Sequence, residues 1–186
     1  KLSKSISRTI GEAEFELIRI DNKVLNVSLA EAYNNGIEQS KYPFLILVHE
    51  DVIFHTNGWG EKLIEHFKNP EVGLIGIAGS RLKTDIPSGW WNNVSEHLCM
   101  NIIQHPEDGK SQRIQFGFGN EQFSEVVVID GVFMAARKTE QIRFDETLKG
   151  FHNYDQSLSL LYRKHGYKVM VTSQILLEHF SEGNKN

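Results

Sequence analysis

Short, continuous apolar runs that alternate with helical patterns are the feature of this sequence that most constrains its fold. "FLILV" (44–48) and "GLIGIAG" (73–79) contain no charged residue, which is typical of strands buried on both faces of a parallel sheet. Between them, Trp59, Leu63 and Phe67 recur at helical spacing. This alternation predicts an α/β fold whose central sheet is mostly parallel and carries helices on both faces.

The rest of the chain extends the same alternation. The remaining predicted elements are helices over 2–10, 27–37 and 153–165 and strands over 15–20 ("FELIRI"), 125–138 and 167–177. Asn26 is the predicted cap of the second helix. Asp21 closes the first of these strands, and His179 closes the last.

Residues 81–122 show no sustained period and are predicted to form a long irregular loop region. Long loops inside compact domains are usually functional. This one carries Trp90 and Trp91, whose flat apolar faces can stack on sugar rings. Packing in a core or at a hinge is the commoner role of any single aromatic residue, so the two tryptophans are candidate binding residues only.

Composition excludes several classes of protein. The chain has 186 residues, 40% of them hydrophobic, and a formal net charge of −4, which fits one globular domain and argues against nucleic acid as a partner. Cys99 is the only cysteine, so no internal disulfide can form. No apolar run approaches the roughly 20 residues of a membrane-spanning helix, and the charged start lacks the apolar middle of a signal peptide. We expect a cytoplasmic protein without a transmembrane segment, and peripheral association with a membrane stays open.

Polar side chains follow the predicted strands at one edge of the sheet. They are Asp21–Asn22, His49–Glu50–Asp51 and Glu178–His179. Ligands of open α/β sheets bind outside the carboxyl ends of the strands, and carboxylate oxygens with imidazole nitrogens suit Mn²⁺ or Mg²⁺. Because polar residues commonly end strands, the predicted metal site rests on three such ends sharing one edge. The dinucleotide, phosphate-loop and nucleophile-elbow motifs do not occur in the sequence.

Four segments, taken in order, resemble one known family. They are "AYNNGIEQSKYPFLILVHEDVIF", "VIDGVFMAARK", "RFDETLKGFHNYDQSLSL" and "GYKV…LLEHFSEG". Over about residues 15–183 the chain resembles the inverting nucleotide-sugar glycosyltransferases of family 2, in particular a bacterial glycosyltransferase-like branch with His-x-Asp-Val at the metal site. The resemblance implies a single domain (1–186) with the A-type glycosyltransferase fold. Its nucleotide-binding half would be 1–80 and its acceptor-binding half 81–186. The first strand of the family has no counterpart here, so we expect the sheet to lack it.

The resemblance implies a set of donor-binding and metal-binding residues. Asp51 stands where the family places the second aspartate of its Asp-x-Asp metal motif, and His49 replaces the first. Asp21 matches the residue that reads the nucleotide base, and Asn34 matches the Asn of an Ala-Arg-Asn turn. His179 stands where some members supply a further metal ligand. The expected cofactor is Mn²⁺ or Mg²⁺, and the expected donor is a UDP-sugar.

The resemblance also implies a catalytic base and an acceptor side. Asp155 matches the base, usually the Asp of a Glu-Asp pair, although Tyr154 stands here in place of the Glu. A carboxylate is needed there to take the proton of the acceptor hydroxyl. The alternative is that Asp155 is only a first-turn helix residue whose negative charge interacts favourably with the helix dipole. Asp130 and Gly131, together with Trp90 and Trp91, are expected to contact the acceptor.

The resulting hypothesis is a metal-dependent glycosyltransferase. It would move a sugar from a nucleotide donor to the hydroxyl of a glycan or other acceptor, with inversion, in bacterial polysaccharide biosynthesis. The alternative is a catalytically inactive sugar- or nucleotide-binding module of the same fold. Retention of Asp51 and Asp155 favours the enzyme, and the missing first strand favours the module. A metal-dependent nucleotidyltransferase would want a basic phosphate-gripping loop near the N-terminus, and none is visible.

Overall fold

Two mixed β-sheets and four α-helices form the part of the chain that the computed structural model describes, residues 1–21, 27–86, 88–105, 110–148 and 152–180. The helices are α1 (Leu2–Thr9), α2 (Leu29–Gln39), α3 (Trp59–Phe67) and α4 (Tyr154–Lys164). The strands are β1 (Phe44–Val48), β2 (Val52–Phe54), β3 (Val72–Gly76), β4 (Ala78–Ser80), β5 (Leu98–Gln104), β6 (Gln112–Phe116), β7 (Phe123–Val126), β8 (Val128–Ile129), β9 (Phe133–Arg137), β10 (Lys168–Thr172) and β11 (Leu177–His179).

The strand order shows that the sheets are mixed. The first sheet has the order β1-β9-β3-β10-β7, and the second has the order β2-β11-β5-β4-β8 with β6 beside β5. Among the described ladders only β3 with β10 and β5 with β11 are parallel. The prediction of a mostly parallel sheet is therefore wrong. Continuous apolar runs indicate that both faces of a strand are buried, but they do not determine its direction.

Helices cover both faces of the first sheet, as predicted. Neighbouring residues of its strands alternate between two apolar clusters. Ile75 and Phe133 pack in the cluster of α1 and α3, whereas Leu74 and Met134 pack in the cluster of α2 and α4. Trp59, in the cluster of α1 and α3, is 2% exposed. Each large apolar side chain buried in this way contributes about 1.5–3 kcal/mol to stability. The loops at the edge of the sheet are therefore attached to a stably packed core.

The predicted strand at 15–20 does not form. These residues alternate between exposed and half-buried positions and take part in no ladder of the described structure. Alternating apolar residues are not enough, because a strand also needs a partner for its backbone groups. The cap of α2 is Ser28, whose Oγ accepts from Glu31 N–H while Ser28 N–H donates to the Glu31 carboxylate. The predicted cap, Asn26, lies outside the described residues.

Three of the predicted long strands turn out to be divided between the two sheets. Residues 73–79 fall into β3 and β4, 125–138 into β7, β8 and β9, and the strand predicted over 167–177 and closed by His179 into β10 and β11. In each case the chain leaves one sheet and enters the other. The prediction that 81–122 is irregular throughout is also wrong, because β5 and β6 form a hairpin there.

Strands from both predicted halves of the chain interleave in the first sheet, where β9 lies between β1 and β3. The division into nucleotide-binding and acceptor-binding halves stays a prediction. No helix within the described ranges is long and apolar enough to cross a membrane.

Candidate active site

Two of the polar strand ends predicted to share an edge meet in the structure. His49 follows β1, Asp51 lies in the turn before β2, and His179 is the last residue of β11. The antiparallel pairing of β2 with β11 sets Val52 opposite His179, and Phe180 N–H donates to the Asp51 carbonyl (3.0 Å). One ligand atom from each of the three residues lies within 4.8 Å of the others. We call these three residues the metal-type cluster.

Two buried atoms of the metal-type cluster have no hydrogen-bond partner among the described residues, His179 Nε2 and Asp51 Oδ1. They lie 3.4 Å apart, which is within ion-pair distance, but without the geometry of a hydrogen bond. His179 Nδ1 donates to Gln104 Oε1 (3.1 Å), which leaves the lone pair of Nε2 free. Unpaired buried polar atoms cost free energy and are rare in native proteins. A divalent cation bound by both atoms would satisfy them, so the residues fit a metal ion.

The electrostatics of the metal-type cluster agree with this fit. Burial lowers the pKa of the His179 imidazole more than the Asp51 carboxylate raises it, and His49 lowers it further. His179 is therefore neutral near pH 7, the form that ligates a metal. Cys99 lies elsewhere, with its thiol donating to Gly117 O (3.3 Å). Two imidazoles and a carboxylate without a thiolate suit Mn²⁺ better than Mg²⁺, which prefers oxygen ligands.

Asp155 is a buried carboxyl in the first turn of α4, 9% exposed. Its Oδ2 accepts from Gly131 N–H (3.0 Å), and its Oδ1 accepts from Gln156 N–H (2.8 Å). Burial and then the Asp130 carboxylate raise the pKa of Asp155 to about 7, although the N–H donors oppose this change. A carboxyl that titrates near neutral pH is suited to accept and release a proton.

The turn between β8 and β9 holds Asp155 against the loop that precedes β5. Asp130 Oδ2 accepts from Trp90 Nε1 (2.6 Å), and Asp130 Oδ1 accepts from Val132 N–H (2.8 Å). Gln156 Nε2 donates to Ser88 O (3.3 Å). The loop around residues 88–90 is thus fixed beside the start of α4.

Tyr154 joins the start of α4 to the metal-type cluster. Its hydroxyl lies 3.0 Å from His49 Nε2 and is hydrogen-bonded to it. The same hydroxyl packs against Gly131, where a Cβ atom would lie 2.1 Å from the Tyr154 oxygen. Asn153, the N-cap of α4, has a left-handed conformation (φ 63°), which asparagine tolerates better than most residues. Adjacent residues at the start of α4 therefore supply the Asp155 carboxyl and the hydroxyl that contacts His49.

The predicted donor residues outside the metal-type cluster have different surroundings. Asp21 is exposed and does not end a strand. Asn34 is buried, and its amide holds the 144–146 segment. Its Oδ1 accepts from Phe144 N–H (2.9 Å), while its Nδ2 donates to Phe144 O (3.0 Å) and to Glu146 Oε1 (2.8 Å). Donor binding by Asp21 and Asn34 stays a prediction.

The predicted acceptor residues also differ from one another. Trp90 is 3% exposed and its indole N–H is used by Asp130, whereas Trp91 is 51% exposed. The two rings meet edge to face, 5.9 Å between centroids. Trp91 thus has the ring face available for stacking, and Trp90 holds the turn that contains Asp130 and Gly131. Acceptor binding by these four residues stays a prediction.

Two residues that contact the histidines of the metal-type cluster, Gln104 and Tyr154, are not predicted by the sequence pattern. Gln104 lies in β5, directly opposite His179 in the parallel ladder with β11. The apolar run "LCMNIIQ" (98–104) was the signal for this strand, and it was hidden in a region assigned as irregular. Tyr154 was noticed only as a substitution, because its contact with His49 spans 105 positions of the chain.

Comparison with known proteins gives a family and a fold. The family model described as "Glycosyltransferase like family" matches residues 4–178. Among solved structures, the crystal structure of GalNAc-T7 with UDP, GalNAc and Mn²⁺ is similar, with a TM-score of 0.56 and 12% sequence identity over 83% of this chain. That likeness concerns the fold, and the chain spans only 30% of the length of the GalNAc-T7 chain. None of the curated proteins compared with the chain matches it.

Proposed function

Because the chain belongs to the Glycosyltransferase like family, we propose that it transfers a sugar from a nucleotide-sugar donor to an acceptor hydroxyl with the help of a divalent cation. One observation carries this proposal. Two buried atoms of the metal-type cluster have no hydrogen-bond partner among the described residues, and Tyr154, which is hydrogen-bonded to His49, directly precedes Asp155, a buried carboxyl whose pKa is about 7. A cation site and a base are the two groups that this reaction requires.

His49, Asp51 and His179 would hold the cation. When bound, it stabilises the negative charge that develops on the departing diphosphate. The chain supplies two imidazoles and one carboxylate, and Gln104 orients the His179 ring through Nδ1. The presence of Mn²⁺ and UDP in the GalNAc-T7 structure supports Mn²⁺ and a UDP-sugar as the first ligands to test.

Asp155 would act as the base. The acceptor oxygen forms a bond to the anomeric carbon, its proton passes to the Asp155 carboxylate, and the bond from that carbon to the diphosphate oxygen breaks. Attack opposite the leaving diphosphate inverts the configuration. Since only the ionised carboxylate accepts the proton, kcat/KM should rise with pH through about 7, the pKa of Asp155.

The acceptor would lie between Asp155 and the exposed ring of Trp91. Trp90 positions the Asp130–Gly131 turn beneath it through the indole N–H. Asp21 and Asn34 are the proposed contacts to the nucleotide. A glycan acceptor, of the kind used in bacterial polysaccharide synthesis, presents sugar rings that an exposed indole face can stack on.

The test is release of nucleoside diphosphate from UDP-sugars, with GDP-sugars as a comparison arm. We expect turnover that requires added Mn²⁺ or Mg²⁺ and stops with a chelator. Asp155→Asn should lower kcat by about 10²–10⁴-fold while the stabilisation by UDP and Mn²⁺ in a thermal-shift assay remains. Unchanged turnover in Asp155→Asn would remove it from the base role. Stabilisation by UDP and Mn²⁺ without turnover of any donor would support the binding-module alternative.

A further inference from the structure

Each histidine of the metal-type cluster has one ring nitrogen engaged by a neighbouring side chain. His179 Nδ1 donates to Gln104 Oε1 (3.1 Å), and His49 Nε2 is hydrogen-bonded to the Tyr154 hydroxyl (3.0 Å). Metal-ligating histidines are usually held in this way, with the second nitrogen donating to a fixed acceptor. By this reasoning the nitrogen of His49 that is left for a cation is Nδ1.

The direction of the hydrogen bond between His49 and Tyr154 follows from the role proposed for His49. If His49 Nδ1 provides its lone pair to a cation, Nε2 carries the proton and donates to the Tyr154 hydroxyl oxygen. The Tyr154 ring is held from the other side by Tyr33, whose ring packs against it in a tilted arrangement with 5.8 Å between centroids.

The space for the Tyr154 hydroxyl exists only because residue 131 is glycine. A Cβ atom at Gly131 would lie 2.1 Å from the Tyr154 oxygen and 2.5 Å from its ring carbon Cζ. Real Cβ contacts are longer, so any larger residue would push the hydroxyl away from His49. Glycine at 131 thus permits the close approach of the Tyr154 side chain.

We propose that Tyr154 is a positioning residue that holds His49, through Nε2, in the tautomer and orientation that present Nδ1 to a divalent cation. The inference rests on the proposed function in requiring a cation at the metal-type cluster. It also gives a physical reason for tyrosine immediately before Asp155. Of the first two residues of α4, Tyr154 then positions a ligand of the cation and Asp155 accepts the proton.

The test measures Mn²⁺ binding to the whole chain without nucleotide or sugar, by isothermal titration calorimetry and by the EPR signal of free Mn²⁺. We expect Tyr154→Phe to weaken Mn²⁺ binding by about 10–100-fold. Tyr162→Phe is the matched control, because Tyr162 is buried on the same helix and its hydroxyl donates to Arg137 O (2.7 Å), away from the metal-type cluster. It should bind Mn²⁺ like the wild type. Gly131→Ala keeps the Tyr154 hydroxyl but displaces it, and should weaken binding as Tyr154→Phe does.

A second readout separates positioning from a general loss of structure. In ¹⁵N NMR spectra of the metal-free protein, His49 should carry its proton on Nε2 in the wild type and in Tyr162→Phe. In Tyr154→Phe it should become a mixture of tautomers, while the thermal unfolding midpoint shows that the chain is still folded. Equal Mn²⁺ affinity in the wild type and Tyr154→Phe, or a proton on Nδ1 of His49, would overturn the role of Tyr154. Absence of Mn²⁺ binding by the wild type would instead contradict the proposed function.

Discussion

Two clusters of one carboxylate and two histidines lie on either side of the end of β11, and within the described residues only one of them contains buried side-chain atoms without a hydrogen-bond partner. Glu178 accepts from His55 Nε2 (2.8 Å) and His105 Nε2 (2.6 Å), so both of its oxygens are bonded. The next residue, His179, faces Asp51, and the buried atoms His179 Nε2 and Asp51 Oδ1 have no hydrogen-bond partner in the described structure although they lie 3.4 Å apart. Both clusters combine one carboxylate with two imidazoles. The Glu178 cluster is complete as an ion-pair network, whereas the metal-type cluster is complete only with a cation.

Removing the carboxylate of each cluster in turn should distinguish the two clusters most clearly. Asp51→Asn should reduce Mn²⁺ affinity by on the order of 10³-fold, about 4 kcal/mol, because it removes the only charged ligand of the three. Glu178→Gln should leave Mn²⁺ affinity unchanged. Titration calorimetry of both variants measures the difference directly.

The thermal shift caused by Mn²⁺ is an independent check. In the wild type, saturation at about a hundred times the dissociation constant should stabilise the chain by about 2.7 kcal/mol. The shift should vanish in Asp51→Asn and persist in Glu178→Gln. If both mutations abolish the Mn²⁺-induced shift, or if neither does, the metal-type cluster is not distinguished from the Glu178 cluster as a cation site.

The metal-type cluster could be predicted in part from the sequence. His49, Asp51 and His179 each end or follow an apolar run, and this local signal depends on neither sheet order nor strand direction. Asp21 was assigned by the same rule and is exposed outside any strand. The difference is that 44–48 and 177–179 have paired partners in the sheets, whereas 15–20 have none in the described structure. Partners depend on distant parts of the chain.

A second prediction concerns the pH dependence of stability caused by Asp155, a buried carboxyl whose pKa is raised, in contrast to the histidine-paired Glu178. A carboxyl whose pKa is raised in the folded state destabilises that state above its unfolded pKa, near 4, and the full cost is reached above about pH 7. Wild-type stability should therefore fall relative to Asp155→Asn as the pH rises. Between pH 5 and pH 8 the relative change should be on the order of 2 kcal/mol.

Urea unfolding of both proteins at pH 5, 6, 7 and 8 measures this change. Asp155→Asn loses one accepted hydrogen bond, which changes its free energy of unfolding by a constant amount at every pH. The two proteins are therefore compared by how their free energies of unfolding change with pH. Parallel curves for the two proteins would mean that Asp155 is not the group titrating near pH 7. The catalytic pH profile would then need another base.

The fold class was predictable while the topology was not. Helices on both faces follow from apolar spacing, which each helix carries in its own residues. Residues 125–138 are divided into three strands because the chain passes from one sheet to the other and back. The parts of "EVVVIDGVFMAARK" that lie in the two sheets are similarly apolar, so the sequence does not show where the chain changes sheet. Gln104 and Tyr154 act through contacts with His179 and His49 that are set by this passage, so a local pattern could not reveal them.

The smallest expected effect is that of Glu178→Gln on stability. Burial disfavours the ionised form of Glu178, but the hydrogen bonds from His55 and His105 outweigh it and lower the pKa of the carboxyl. A lowered pKa contributes stability that is present above the unfolded value, near 4.3, and is lost as the pH falls through the folded value. Because His55 is 41% exposed, the network should contribute within about 1 kcal/mol. Glu178→Gln should be less stable than the wild type at pH 7 by this amount, and the difference should shrink at pH 3.5. A loss larger than that of Asp51→Asn in metal-free protein would mean that the paired cluster, and not the cation site, holds the end of β11 in place.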